Sequence, residues 1–196
     1  MSVLLRPSIP ASECMAVTAC TAVAVAAAVE QICGRRAEIK WVNDIMLDGK
    51  KLCGILTEGA LSAETGLFEY LVIGIGVNVA SAGFPEELRE VAASMFGDVE
   101  NPPRAAVAAA ILNLLYDKLK MLPQRTFMEE YRARSCVIGK EIIMTDFAAG
   151  GAKSMARALD VDDDGGLIVE TPDGVRKLHS GEVSVRVIPS EGAGQP

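Results

Sequence analysis

Within five positions the chain sets an ammonium, an indole, an amide and a carboxylate, Lys40-Trp41-Val42-Asn43-Asp44, and shortly afterwards it reads Lys50-Lys51-Leu52-Cys53-Gly54-Ile55-Leu56. Lysines beside a carboxylate and bare backbone suit a site that handles carboxylates and phosphates, because a fixed ammonium stabilises charge gathering on phosphate oxygens without itself reacting. Asp48-Gly49 lies between the two segments, and Asp-Gly flanked by alternating residues is the strongest short signal for a two-residue hairpin turn. Such a turn sets Leu47 opposite Lys50, Met46 opposite Lys51 and Asp44 opposite Cys53. Side chains alternate between faces along a strand, so Asp44, Met46, Lys51 and Cys53 share one surface and Lys50 points to the other. Asp44 and Lys51 become diagonal neighbours, which makes Lys51 the candidate for a site and Lys50 the solvent lysine. Spacing alone also fits an ordinary surface ion pair, worth about 0–1 kcal/mol. Gly54 moves the reading toward a site, since a glycine inside a strand often marks the approach of a ligand. Lys40 adds a second positive charge at the far end of the same element.

Gly74-Ile75-Gly76-Val77-Asn78 follows the apolar run 68–73. Two readings stand side by side: a ligand lying on bare backbone beside the donors and acceptor of Asn78, or strands crossing at close quarters. A dinucleotide fingerprint is excluded, because Val79 stands where its third glycine belongs. Asp160-Val161-Asp162-Asp163-Asp164-Gly165 imitates the start of a calcium loop, but Thr171 occupies the twelfth position and strands are expected on both sides, so it reads as a solvated turn. The five cysteines, Cys14, Cys20, Cys33, Cys53 and Cys136, contain no C-x-x-C pair. Buried free thiols in a reducing, cytoplasmic compartment are expected rather than zinc or disulfides. His179 is the single histidine, which removes any His-rich metal site, and no G-x-S-x-G elbow supports a covalent hydrolase.

The elements that must position these residues follow from pattern. A length of 196 residues, half of them apolar and 23% charged, fits one sizeable domain with a small appendage. A net charge of −7 and a pI near 4.8 argue against a general nucleic-acid binder, and no helix-turn-helix pattern precedes the core, so no DNA partner is expected. The Ala/Val run 14–29 imitates a signal or membrane segment, but Thr18 and Thr21 interrupt it and Glu13 and Glu30 bound it. It falls short of the roughly 20 apolar residues of a span and reads as a buried small-residue helix, with Ser12 as its N-cap and Gly34 closing it. Strands are expected over 2–7, 37–42 and 68–73, and helices over 85–91, 103–122 and 127–134. Beyond Val137, five short strands (141–145, 154–161, 167–170, 175–178 and 183–188) separated by Gly/Asp turns suggest a small antiparallel barrel.

Together these residues carry a resemblance. Lys40 to Asp44 plus Lys51-x-x-Gly54-Ile55-Leu56 resembles the signature K-W-P-N-D…K-x-x-G-I-L of biotin–protein ligases, with Val42 in place of the proline. Gly74 to Asn78 is similar to that family's G-x-G-x-N element, and Ser180-Gly181-Glu182-Val183-Ser184-Val185-Arg186 resembles the end of its C-terminal SH3-like domain. The resemblance implies an α+β fold: a mixed sheet with packed helices over 1–137, an SH3-like β-barrel over 138–189, and a flexible tail over 190–196. It implies that the biotin carboxylate attacks the α-phosphate of ATP, with Mg2+ accompanying the triphosphate, and that a lysine of a biotin carboxyl carrier domain then attacks biotinyl-5′-AMP. Lys51 would touch the biotin carboxylate and the α-phosphate, and Asp44 would orient Lys51 or help accept the amine's proton. Gly54, Leu56, Gly74 and Ile75 would line the biotin pocket, while Lys40, Asn43, Asn78 and Arg186 would meet the nucleotide. Lipoate ligases share the fold but not the K-W-x-N-D set, which favours biotin.

The same resemblance implies an earlier portion carrying an S-T-N stretch and a G-R-G-R-x-G-R loop that shields the adenylate. No G-R-G-R run occurs in these residues, and the opening residues 1–7 resemble the middle of that fold. Little ligase activity is therefore expected from this chain alone, with three ways out: a reading frame that begins too late, an N-terminal segment supplied in trans, or a degenerate remnant. A homodimer through exposed sheet edges is a further expectation, and a non-catalytic biotin-, nucleotide- or carrier-binding module or remnant is the alternative.

Overall fold

The computed structural model describes residues 1–7, 9–81, 84–146, 150–179 and 183–188. The expected tail 190–196 and the Ser180-Gly181-Glu182 stretch lie outside the described residues.

The first layer is a five-stranded sheet in the order β1-β5-β4-β3-β2, made of β1 (Ser2–Leu5), β2 (Glu38–Lys40), β3 (Asp44–Leu47), β4 (Lys50–Leu61) and β5 (Phe68–Val77). Every ladder is antiparallel, so the expected mixed sheet is corrected; the described parallel pairings are isolated bridges, Ile39 with Ser135 and Lys51 with Ala92. The reason is local: β3, β4 and β5 follow one another through short turns, which forces neighbours to run in opposite senses. One face carries Ile39, Ile45, Leu47, Ile55, Leu71, Ile73 and Ile75, all buried. The other face is open and carries Leu4, Leu56 and Tyr70 exposed.

Helix α1 (Cys14–Cys33) packs under the buried face, with α2 (Arg104–Lys120) and α3 (Phe127–Arg134) against it. Its Ala/Val sequence is apolar on all sides, as a helix buried between two layers requires. By length and composition it could cross a membrane, but here it is the central core helix, buried over most of its length. Gly34 closes it in the left-handed region (φ 68°), its N–H donating 2.9 Å to Glu30 O. Ser12 does not cap it, because a 3-10 turn (Ala11–Glu13) precedes the helix and puts Glu13 at the cap position without a side-chain bond. The Glu13 carboxylate pairs with Arg125 instead. The helix expected over 85–91 is a single 3-10 turn, Glu86–Leu88, whose continuation pairs with β4 rather than winding on.

The second sheet takes the order β10-β6-β7-β8-β9, with β6 (Glu141–Asp146), β7 (Ala152–Val161), β8 (Leu167–Thr171), β9 (Gly174–Leu178) and β10 (Val183–Val187). These are the five strands that the turn signals predict, all antiparallel. Among the described residues no ladder joins β9 to β10. Buried Ile142, Met144, Ala158, Val161, Leu167 and Val169 form its core.

Candidate functional site

The turn at Asp48-Gly49 has positive φ at both positions, 49° and 75°, the signature of a type I′ hairpin. It pairs Leu47 with Lys50 and Met46 with Lys51, as expected; then the register shifts, so that Ile45 pairs with Cys53 and Asp44 with Gly54. Leu52 is the extra residue of a bulge. Cys53 is therefore corrected to the helix side with Ile45, while Asp44, Met46 and Lys51 keep the open face. The ion pair survives the shift: Lys51 Nζ lies 2.5 Å from Asp44 Oδ1, with side chains 50% and 20% exposed.

Gly54 gives the pair its room. A Cβ there would meet Lys51 Cε at 3.3 Å and Nζ at 3.4 Å, so the lysine lies across the bare strand to reach Asp44. Gly54 pairs with Gly76, and Leu56 with Gly74. A Cβ on Gly74 or Gly76 would meet only backbone and Leu56 atoms at 3.6 Å or beyond. Among the described residues no second strand crosses there, and none of them requires glycine at either position. Ile75 turns its side chain to the helix side, 2% exposed, and offers the open face only its backbone. Leu56 stands on the open face, 59% exposed.

The backbone of Lys51, turned away from β3, is taken up by the segment after the 3-10 turn: Lys51 N–H donates 2.8 Å to Val91 O, and Ala93 N–H donates 2.8 Å to Lys51 O. Lys50 is no free solvent lysine; its Nζ donates 2.7 Å to Arg89 O. Leu88, Glu90, Val91 and Ala92 thereby wall a cavity of about 680 Å³ whose floor is Asp44, Met46, Lys51, Gly54 and Gly76. Sequence reasoning missed this wall, because its bonds are made by backbone and leave no mark on residue type.

Glu38, Lys40, Asn78 and Cys136 line other sides, and Arg186 and Val187 of β10 close the cavity from the second sheet. Lys40 pairs with Asp44 across β2 and β3, and neither Lys40 nor Arg186 has an ion-pair partner among the described residues. Asn78 is held by its own backbone N–H to Leu52 O, 2.9 Å. Asn43 is spent differently: its Nδ2 donates 2.7 Å to Ile55 O and it does not line the cavity, so its amide braces the turn over β4. Trp41 also leaves the cavity, its ring nearly buried and turned toward the second sheet. Burial pushes the Cys53 thiol up to about 12, with Asp44 adding to the rise, and burial likewise takes Cys136 to about 11. Neither serves as a thiolate nucleophile near neutral pH. Among the described residues no group of three His, Cys, Asp or Glu side chains gathers to hold a metal.

The arrangement sets Lys40, Lys51 and Arg186 around an apolar glycine shelf, with the Asp44 carboxylate pinned to Lys51 and the Glu38 and Glu90 carboxylates at the walls. It suits binding an anionic ligand along the shelf and steadying charge beside Lys51.

Residues 1–78 match the Biotin/lipoate A/B protein ligase family, and residues 137–186 match the Biotin protein ligase C terminal domain. The chain is 34% identical over 194 residues to the bifunctional ligase/repressor BirA of Bacillus spizizenii, covering 94% of this chain but only 57% of that protein's length. It is 30% identical to the biotin--[acetyl-CoA-carboxylase] ligase of Paracoccus denitrificans, covering 93% of this chain and 78% of that one. The fold is also that of the biotin protein ligase of Aquifex aeolicus solved in complex with biotin and ATP, at 25% identity and a TM-score of 0.77, covering 95% of this chain and 77% of that one. With both segments matched in order and a ligase relative covered over most of its length, the chain belongs to the biotin–protein ligase family.

Proposed function

We propose that this chain forms biotinyl-5′-AMP from biotin and ATP and passes biotin to a lysine of a biotin carboxyl carrier domain in the cytoplasm. The observation that carries the reading is the Lys51–Asp44 pair at 2.5 Å over Gly54, opening onto the cavity that Arg186 enters from the second sheet. Biotin's apolar part would lie along Leu56, Gly74 and the Ile75 backbone, with its carboxylate toward Lys51. The triphosphate would lie between Lys51, Lys40 and Arg186, with Asn78 beside the nucleotide. Asn43 would then serve the nucleotide by holding the turn between Lys40 and Asp44.

In the first step a carboxylate oxygen attacks the α-phosphorus and pyrophosphate leaves. Lys51, held in place by Asp44, opposes the negative charge that builds on the phosphoryl oxygens, a contribution of about 3–4 kcal/mol where such a donor is fixed in place. In the second step a carrier amine attacks the acyl carbon and AMP leaves. Asp44 either holds Lys51 in line or takes the proton that the amine sheds. Mg2+ would come with the triphosphate, keeping its oxygen and water ligands, and no step above depends on it.

Biotin-dependent exchange between pyrophosphate and ATP tests this reading. The sequence holds no G-R-G-R run, so exchange by these 196 residues alone is expected to be weak, and strong once a segment carrying that loop is supplied. Exchange that is lost in Lys51→Ala and kept in Lys50→Ala supports the assignment. Biotin or nucleotide binding with no exchange under either condition returns the second reading, a non-catalytic module.

A further inference from the structure

Trp41 sits in the signature segment yet adds nothing to the cavity wall. Its ring is 6% exposed, and its Nε1–H donates 2.8 Å to the carbonyl of Gly165 in the buried seam between the two sheets. Gly165 lies in the turn joining β7 to β8, and that turn is rigidly built. Asp162 accepts from the backbone N–H of Gly166 at 2.9 Å and of Asp164 at 3.1 Å, and from Lys177 at 2.5 Å. Gly165 itself has φ +86°, and a Cβ there would meet Met15 of α1 at 3.5 Å.

The turn has other holds on the first layer. Arg132 of α3 donates 2.8 Å to Val161 O and pairs with Asp163 at 3.0 Å, and Arg125 reaches Asp164 at 3.9 Å. The carboxylates in these pairs are 68% and 65% exposed, and exposed pairs are screened and loose. The Trp41 bond is fully buried where the Arg132 bond to Val161 O is only partly so, and it adds a fixed orientation that the exposed pairs supply less firmly. The sheet it holds carries Arg186: β7 pairs with β6, and β6 with β10. At the other side of Trp41, Lys40 and Asp44 face each other across β2 and β3.

We propose that Trp41 is a positioning residue: its indole N–H registers the second sheet against the turn that carries Lys40 and Asp44, and so sets where Arg186 stands relative to Lys51. It acts through Arg186 and touches no reacting atom. The proposal rests on the ligase reading for its kinetic arm and on the fold alone for its structural arm.

The test uses Trp41→Phe, which keeps an aromatic ring and removes the N–H, and 3-benzothienylalanine at position 41, which keeps the bicyclic volume and replaces the N–H with sulfur. In pyrophosphate–ATP exchange, the KM for ATP should rise by roughly three- to tenfold, the size of one lost hydrogen bond, with the KM for biotin unchanged. Arg186→Ala should raise the ATP KM as well, and Trp41→Phe added to it should do no further harm. Additive effects, or equal changes for biotin and ATP, overturn the proposal. Hydrogen exchange supplies the structural arm: amide exchange at Gly165 and Gly166 should accelerate in both Trp41 variants by more than that of the α1 and β4 amides. Unchanged protection there sinks the proposal whether or not the chain is a ligase. Accelerated exchange in a protein that shows no pyrophosphate exchange even with the loop supplied upholds the latch and removes the ligase reading instead.

Discussion

The two ends of the β4–β5 hairpin use glycine for opposite reasons. At the far end, a Cβ on Gly59 would lie 2.5 Å from Tyr70 O, 2.7 Å from Leu71 Cδ2 and 2.9 Å from Phe68 Cδ1, beside the register shift at Ala60 and Leu61. Backbone and core occupy that space, so the fold itself requires glycine. At the near end, a Cβ on Gly74 or Gly76 would have nothing closer than 3.6 Å, on the sheet face beside the cavity. A glycine the fold does not require, on an open shelf beside an ion pair, is space kept for something else. Gly54 lies between these cases: its neighbour is the flexible end of Lys51.

The largest expected effect breaks the near end by removing its charge. Lys51→Ala should lower biotin-dependent pyrophosphate exchange by about 10²–10³, the loss seen when a fixed donor to a developing anion is deleted. Its melting temperature should stay close to wild type, because the Lys51 side chain is half exposed. Gly54→Ala should cause a smaller loss in a stable protein, since the new Cβ crowds Lys51 Cε at 3.3 Å and shifts the lysine end by a few tenths of an ångström. Retained exchange in both variants would detach the pair from the chemistry.

Gly59→Ala should do the reverse. Forcing a methyl against a backbone carbonyl costs about 1–3 kcal/mol, read as a lower urea midpoint, with the KM for biotin unaltered in the folded fraction. Gly76→Ala should leave that midpoint in place and raise the KM for biotin by about tenfold, the scale of one misplaced methyl in an apolar pocket. If the two variants exchange roles, the distinction between the ends is wrong.

Much of this was legible beforehand, and the exceptions have physical causes. Asp48-Gly49 announced the hairpin, and strand parity chose Lys51 over Lys50. Parity erred at Cys53 because a bulge adds one residue to one strand only. The signal was present in Leu52-Cys53, two successive apolar residues where alternation asks for one, and both are buried. Arg186 at the cavity was readable only through the resemblance, since no local pattern tells where a second sheet will dock. Trp41 and Asn43 carried the right residue types for ligand contact, but the Trp41 N–H goes to Gly165 O and the Asn43 amide nitrogen to Ile55 O. Donors and acceptors declare a capacity; only the fold says which partner uses it.

The contrast extends from the ends of the hairpin to the faces of the sheet, where two kinds of ion pair can be told apart by pH. On the helix side, Lys118 of α2 and Arg134 of α3 grip Glu130 at 2.8 and 3.0 Å, and Arg134 also reaches Glu30 of α1 at 2.7 Å. Partial burial pushes the Glu130 carboxyl up, but hydrogen bonds from Lys118 and Arg134 outweigh it and hold the group below its ordinary value. A carboxyl lowered by folding contributes stability that is whole above its unfolded pKa and is lost as pH falls through the lowered folded value. Glu130→Gln should therefore lower the urea midpoint near neutrality by a small amount, since the pair is partly exposed and screened. It should also flatten the decline of that midpoint between neutral pH and about 3, where carboxylates titrate, and leave the KM for biotin and for ATP where they were. Asp44→Asn should show the opposite balance, with exchange impaired and the urea midpoint near neutrality close to wild type, since its partner Lys51 is half exposed. A Glu130→Gln protein whose acid limb matches wild type would deny the helix-side network its part in holding α1, α2 and α3 together, and the two faces would no longer differ in what their ion pairs are for.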